Sequence, residues 1–359
     1  MGAPLLSAAA RPDLRRAGRR ARPMAAAAIS LILGLACAAA PAGPRTAPPA
    51  GAAPDADDLL FGAALPMRLE LDGVVGGYGA GPGQMAYPEG VAVDDLGRLF
   101  VADTGNDRIL RFDQAGVFLG ESGGFGFDAG RFDKPRDLVI NRSLSLWVLD
   151  GENARVMKYD LEGRLIGTVV DFKSGEAQGL FGRVIPGGLG GEPGGYLYVA
   201  DTAGDRLLGI NPLGGGVSIL GGFGSQPGRF RHPTGVTVSG RGTLLVADGG
   251  NARVQALDNF GSFLRAWPLA GEEPDGRVAV CWLAGGRLAI AERDSSRITV
   301  MSAEGRVLAR LEAGGSRPGQ IDHPSALATD RLGRLYVADT DNHRIQVFRL
   351  DDRSAASRR

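Results

Sequence analysis

Six carboxylates in this chain are each followed, five residues later, by an arginine. The pairs are Asp103 and Arg108, Asp150 and Arg155, Asp201 and Arg206, Asp248 and Arg253, Glu292 and Arg297, and Asp339 and Arg344. An acid and a guanidinium at fixed spacing suit either proton transfer in a site or a charge-assisted hydrogen bond that holds a turn. The separations between successive pairs, 47, 51, 47, 44 and 47 residues, decide between the two. Such regularity marks a repeat, and a group present in every unit serves the unit. The pairs are therefore expected to be structural, as are Asn106, Asn153, Asn251 and Asn342 in the same loops.

Other reactive residue types are scarce. The chain has three histidines. His232 and His323 stand at matching places, before Pro233 and Pro324, two units apart. Zinc catalysis usually takes three protein ligands, and the equivalent positions elsewhere hold Tyr87, Lys134 and Ile185. No metal or cofactor is expected, with zinc or calcium near His232 and His323 as the alternative. His-Glu-x-x-His and Cys-x-x-Cys are missing from the sequence. The glycine loops Gly77-Tyr-Gly79, Gly124-Phe-Gly126 and Gly222-Phe-Gly224 open no helical pattern, so they do not read as phosphate loops.

The elements that position these residues follow from the same repeat. Each unit carries four short apolar runs separated by turn residues, for example 88–94, 99–102, 108–112 and 117–120. That is a four-stranded antiparallel meander. One such sheet cannot cover both its faces, whereas sheets set radially pack on their neighbours, which makes an all-β, six-bladed β-propeller. After Phe348 the sixth unit has no fourth strand, and Met67–Leu71 is expected to complete that last blade. Loops between second and third strands then share a face with the crossovers between blades. The residues that break the repeat on this face are Tyr87, Lys134, Arg136, Asp137, Arg231, His232, Arg293, Asp294, His323 and His343. A mixed set at a channel rim suits recognition of a polar ligand or peptide.

Composition narrows the class further. Glycine, at 57 residues, is well above ordinary usage and clusters at recurring turns. Basic and acidic residues number 40 each, but residues 1–37 hold six arginines and one acid, leaving a mildly acidic body. Polyanion binding needs clustered cations, so nucleic acid is excluded as a partner. The arginines up to Arg22 and the apolar run from Ala25 to Ala36 read as an export signal over 1–40. Cys37 is the lipidation candidate, and the Ala/Pro-rich stretch 41–60 reads as a linker. The propeller is expected over 61–350, followed by a polar tail at 351–359. Cys281, in an apolar run, reads as a core residue.

The phrases Pro88-Glu-Gly-Val-Ala-Val-Asp94 and Arg334-Leu-Tyr-Val-Ala-Asp-Thr-Asp-Asn-His-Arg-Ile-Gln-Val-Phe348 resemble the NHL repeat. The resemblance spans roughly 67–350 and implies a six-bladed propeller. It is partial in the second unit, where Arg136-Asp137 replace Glu-Gly, and in the fifth, at Glu292–Ser296. The expected function is an exported, non-catalytic binding scaffold, monomeric, that engages a protein, peptide or glycan at the bacterial cell envelope. It would be periplasmic, or membrane-anchored through its N-terminal signal or lipid. The alternative is a metal-dependent lyase or lactonase, as in some relatives of this family.

Overall fold

The computed structural model describes residues 65–141, 145–191, 195–211, 217–269, 276–312 and 314–352. The expected export signal, Cys37, the linker and the end of the tail lie outside these residues.

Strand β1 (Met67–Val75) precedes six strand groups. Blade 1 consists of β2 (Pro88–Val93), β3 (Leu99–Asp103), β4 (Arg108–Phe112) and β5 (Phe118–Gly123). Blade 2 consists of β6 (Pro135–Asn141), β7 (Ser145–Asp150), β8 (Arg155–Asp160) and β9 (Leu165–Asp171). In blade 3 the strands are β10 (Pro186–Gly191), β11 (Leu197–Asp201), β12 (Arg206–Ile210) and β13 (Val217–Gly221). Blade 4 comprises β14 (Pro233–Val238), β15 (Leu244–Asp248), β16 (Arg253–Leu257) and β17 (Phe263–Pro268). Blade 5 comprises β18 (Val278–Leu283), β19 (Arg287–Glu292), β20 (Arg297–Met301) and β21 (Val307–Leu311). Blade 6 has β22 (Pro324–Thr329), β23 (Leu335–Asp339) and β24 (Arg344–Asp352), and its fourth strand is β1. Met67 pairs with Asp352 and Val75 with Ile345, so the expected closure of the ring is present.

The turns inside blades follow from side-chain chemistry. Asp94 accepts hydrogen bonds from the backbone N–H groups of Leu96 and Arg98, and Gly97 takes the positive φ that closes the turn. Asp113, Asp160, Asp258 and Asp330 do the same in their own turns. An Asp side chain that mimics a backbone turn explains why Asp-x-x-Gly recurs between strands.

Second strands are buried on both faces, hence their unbroken apolar runs. Leu99 and Val101 pack with Tyr336 and Ala338 of blade 6, while Phe100 and Ala102 pack with Leu146 and Val148 of blade 2. A cluster of this kind fills every junction between neighbouring blades. The inner strands β2, β6, β10, β14, β18 and β22 surround a central channel.

The sequence reading did not anticipate helix α1 (Gly175–Phe181), which lies in the crossover from blade 2 to blade 3. Ser174 starts it by accepting from the Ala177 N–H, and Ala177 and Phe181 bury themselves beside Phe172.

Candidate functional site

The repeated acid and arginine are used internally. Asp103 is fully buried, and its Oδ1 accepts the N–H of Ala86 in the incoming crossover at 2.7 Å. Its Oδ2 accepts from Asn106 at 2.8 Å and from Arg108 Nε at 2.7 Å. Arg108 then spends its outer nitrogens on the crossover carbonyls of Ala80, Gly81 and Gln84. Asp150, Asp248 and Asp339 hold their crossovers in the same way, through Asp133, Arg231 and Asp322. Asp201 holds Ile185. Blade 5 differs, because Glu292 takes Arg297 in a two-pronged pair at 2.6 and 2.7 Å. With both oxygens of each carboxylate engaged, these groups are the fastening of the fold, as the sequence predicts.

A second fastening was not legible in the sequence. The loop residue before each of these arginines has positive φ, and so does the residue before the opening proline in four blades. The first side chain caps the backbone N–H of the second across the junction. Asp107 holds Lys134, Asp205 holds His232, Ser296 holds His323, and His343 Nδ1 holds Tyr87 at 3.1 Å. Acceptance by Nδ1 fixes the proton of neutral His343 on Nε2. Its ring also packs against Tyr87 and Tyr78, with centroids 4.5 and 4.7 Å away. Tyr87, Lys134, His232 and His343 thus belong to the loop face as blade-to-blade contacts. Arg231 is exposed there with its N–H on Asp248, and Asp294 is exposed in the blade 5 loop.

His323 does not gather with His232. Its Nδ1 lies 2.8 Å from Asp322 Oδ1 and 3.0 Å from Asp341 Oδ2. Among the described residues, this is the group of histidine and carboxylate atoms close enough to hold one ion. The same distances describe a ring N–H shared by two carboxylates.

Charge concentrates at the channel mouth, where the inner strands begin. Arg277 Nη1 donates to Glu89 Oε2 at 2.8 Å. Arg136 Nε stands 4.0 Å from that oxygen, and Arg293 Nη1 stands 3.9 Å from Glu89 Oε1. Arg136 Nη2 reaches Glu152 at 2.6 Å. Arg136 Nε and Arg293 Nη1 are buried and have no hydrogen-bond partner among the described residues. Asp137 bridges two blades, accepting the N–H of Leu189 at 2.7 Å and of Leu138 at 2.8 Å. Burial pushes its carboxyl up to about 6, against the pull of these two bonds and of Arg277. The mouth and the channel beneath it enclose about 210 Å³, lined by these charged groups and by Val, Leu, Ile and Ala of the inner strands.

The structure therefore unites Arg136, Asp137 and Arg293 from the predicted set, and adds Glu89 and Arg277. Arg277 escaped notice because blade 5 has Val278 where the other inner strands open with proline. Glu89 escaped because its position varies among the units, with Arg136, Gly187, Thr234 and Ser325 at the equivalent places, so it marks no single departure.

Six radial, four-stranded antiparallel sheets about a channel define a six-bladed β-propeller. The NHL repeat model matches residues 85–112, 230–257 and 322–348, so the chain is an NHL-repeat propeller. It is 26% identical over 134 residues to Protein brain tumor of Drosophila melanogaster, covering 36% of this chain and 12% of that protein. It is 29% identical over 167 residues to human NHL repeat-containing protein 3, covering 43% of this chain and 46% of that protein. The matches thus span less than half the length of both relatives. A gluconolactonase structure from Xanthomonas campestris superposes with a TM-score of 0.56 at 16% identity, over 75% of this chain and 87% of that one. That likeness is one of fold.

Proposed function

We propose that the protein is a non-catalytic binding propeller, exported to the cell envelope, which engages a protein or peptide through its loop face. The observation that carries this reading is the convergence of Arg136, Arg277 and Arg293 on Glu89 at the channel mouth. These charges break the repeat, whereas the six acid–arginine pairs that keep it are consumed in holding crossovers. Exposed aromatic rings on the crossovers support the same face. Tyr78 is 71% exposed, Phe125 65% and Phe223 73%, each at the tip of a crossover. Exposed aromatics and arginines are the residue types that carry binding energy in protein interfaces.

Photo-crosslinking from the native envelope tests the reading. Wild type is expected to capture a discrete partner that the combined Arg136→Gln, Arg277→Gln and Arg293→Gln variant loses while keeping its melting temperature. Equal capture by both proteins would remove the channel mouth from the binding surface.

One observation favours a second reading, a metal-dependent propeller enzyme. His323, Asp322 and Asp341 offer one nitrogen and two carboxylate oxygens, a donor set that suits zinc with a fourth position open. Metal analysis of purified protein separates the readings. Stoichiometric zinc or calcium that disappears in His323→Ala and Asp341→Asn would support the enzyme; equal metal content in wild type and variants would sink it.

A further inference from the structure

We propose that the channel mouth is an oxyanion site, built for a carboxylate that carries a short apolar group. This rests on the binding reading above and narrows it to a ligand chemistry.

The first support is the balance of hydrogen-bonding capacity. Arg136 Nε and Arg293 Nη1 are buried donors without acceptors among the described residues. Each points across a gap of 4.0 or 3.9 Å towards Glu89, too long for a hydrogen bond. Several acceptors nearby are already committed. Glu152 Oε1 is taken by Arg136 Nη2, Glu89 Oε2 by Arg277, and Asp137 by the Leu138 and Leu189 N–H groups. Glu89 Oε1 faces Arg293 Nη1 but stands 3.9 Å away, so the mouth leaves both donors unmade, and a ligand that completes it brings acceptor atoms within reach. Leaving such donors unmade is costly, so an acceptor placed there is strongly favoured.

Geometry and charge choose the acceptor. Three guanidiniums face one rim carboxylate, Glu89, and a planar guanidinium fork matches a carboxylate in two-pronged fashion. Val93, Val139, Ile140, Leu327 and Ala328 line the same cavity, which together with its charged mouth encloses about 210 Å³. That is below the roughly 300–1,000 Å³ typical of pockets for larger ligands, so the channel admits a short apolar group. A free small acid and the last residue of a partner chain both present this chemistry.

Calorimetric titration tests the proposal with four probes: isovalerate, isovaleramide, a peptide ending in a free leucine carboxylate, and its amidated twin. The acids are expected to bind and the amides not, with the two acid arms showing which source fits. Arg136→Gln and Arg293→Gln should each weaken the acid by about tenfold or more, the size of a lost charge-assisted hydrogen bond. Glu89→Gln should strengthen it, because Glu89 competes for the same donors. Should Arg293→Gln fail to fold, Arg293→Lys keeps the charge, loses the fork and is expected to weaken binding. Amides that bind as well as acids, a weakening by Glu89→Gln, or no titration by either acid with folded wild type would overturn the proposal. If acid binding fails while the envelope partner is still captured, the oxyanion site falls and the binding propeller stands.

Discussion

At the scale of single residues, the same ion-pair chemistry has two very different values. Asp339 is fully buried, and its two oxygens serve the Asp322 N–H, Asn342, Arg344 and Gln346. Asp339→Ala should lower unfolding free energy by about 3–5 kcal/mol, because it strands Arg344 and several donors. Breaking the exposed pair of Arg331 with Asp95 by Arg331→Ala should cost about 1 kcal/mol or less. Urea denaturation of the two variants measures the contrast. Asp137 gives a pH signature instead. Its carboxyl titrates near 3.8 when unfolded and at about 6 when folded, so the folded state binds the proton more tightly. Its contribution to stability therefore falls as pH rises between those values. Thermal melts across that window should show Asp137→Asn with a flatter dependence than wild type.

At the scale of elements, each crossover is an anchor and a tip. Phe230 is fully buried beneath its loop, while Phe223, bridged to it, is 73% exposed. Phe230→Ala should cost about 3–5 kcal/mol and Phe223→Ala about 0.5 kcal/mol or less, read from melting curves. Gly221 has a φ of 89°, and a Cβ there would meet Phe230 at 2.2 Å, so Gly221→Ala should destabilise through the same anchor. Recurring glycines were legible in the sequence because the turn chemistry is shared. The blade-to-blade caps were not, since Asp107, Asp205, Ser296 and His343 share a positive φ and an acceptor but no residue type. By the same logic His343→Asp, which restores the commoner acceptor, should keep wild-type stability where His343→Ala does not. Helix α1 was likewise hidden, because its seven residues are too few to show a period.

At the scale of the whole molecule, the spacing of six pairs was enough to name the architecture. The lack of a fourth run after Phe348 was enough to place β1 in the last blade. The channel mouth was only half legible, because counting by repeats finds Arg136, Asp137 and Arg293 as departures but does not single out Glu89, whose position varies among the units as Arg136, Gly187, Thr234 and Ser325. Deleting residues 67–75 should open the ring and expose Leu335, Val337 and Phe348, which lie in the same cluster as Met67 and Leu69. A large fall in melting temperature is expected, with trimming beyond Asp352 as the control; equal melting temperatures would refute the role of β1.

The pairing of β1 with β24 also sets an order in time. The first strand of the domain to be synthesised has the last as its partner, so β1 cannot take its place in blade 6 until the whole domain has been made. Until that pairing forms, β1 has an unpaired edge. The ring closes only with both ends of the domain present, and the channel mouth, which draws on blades 1, 2 and 5, has its final shape only in the closed ring.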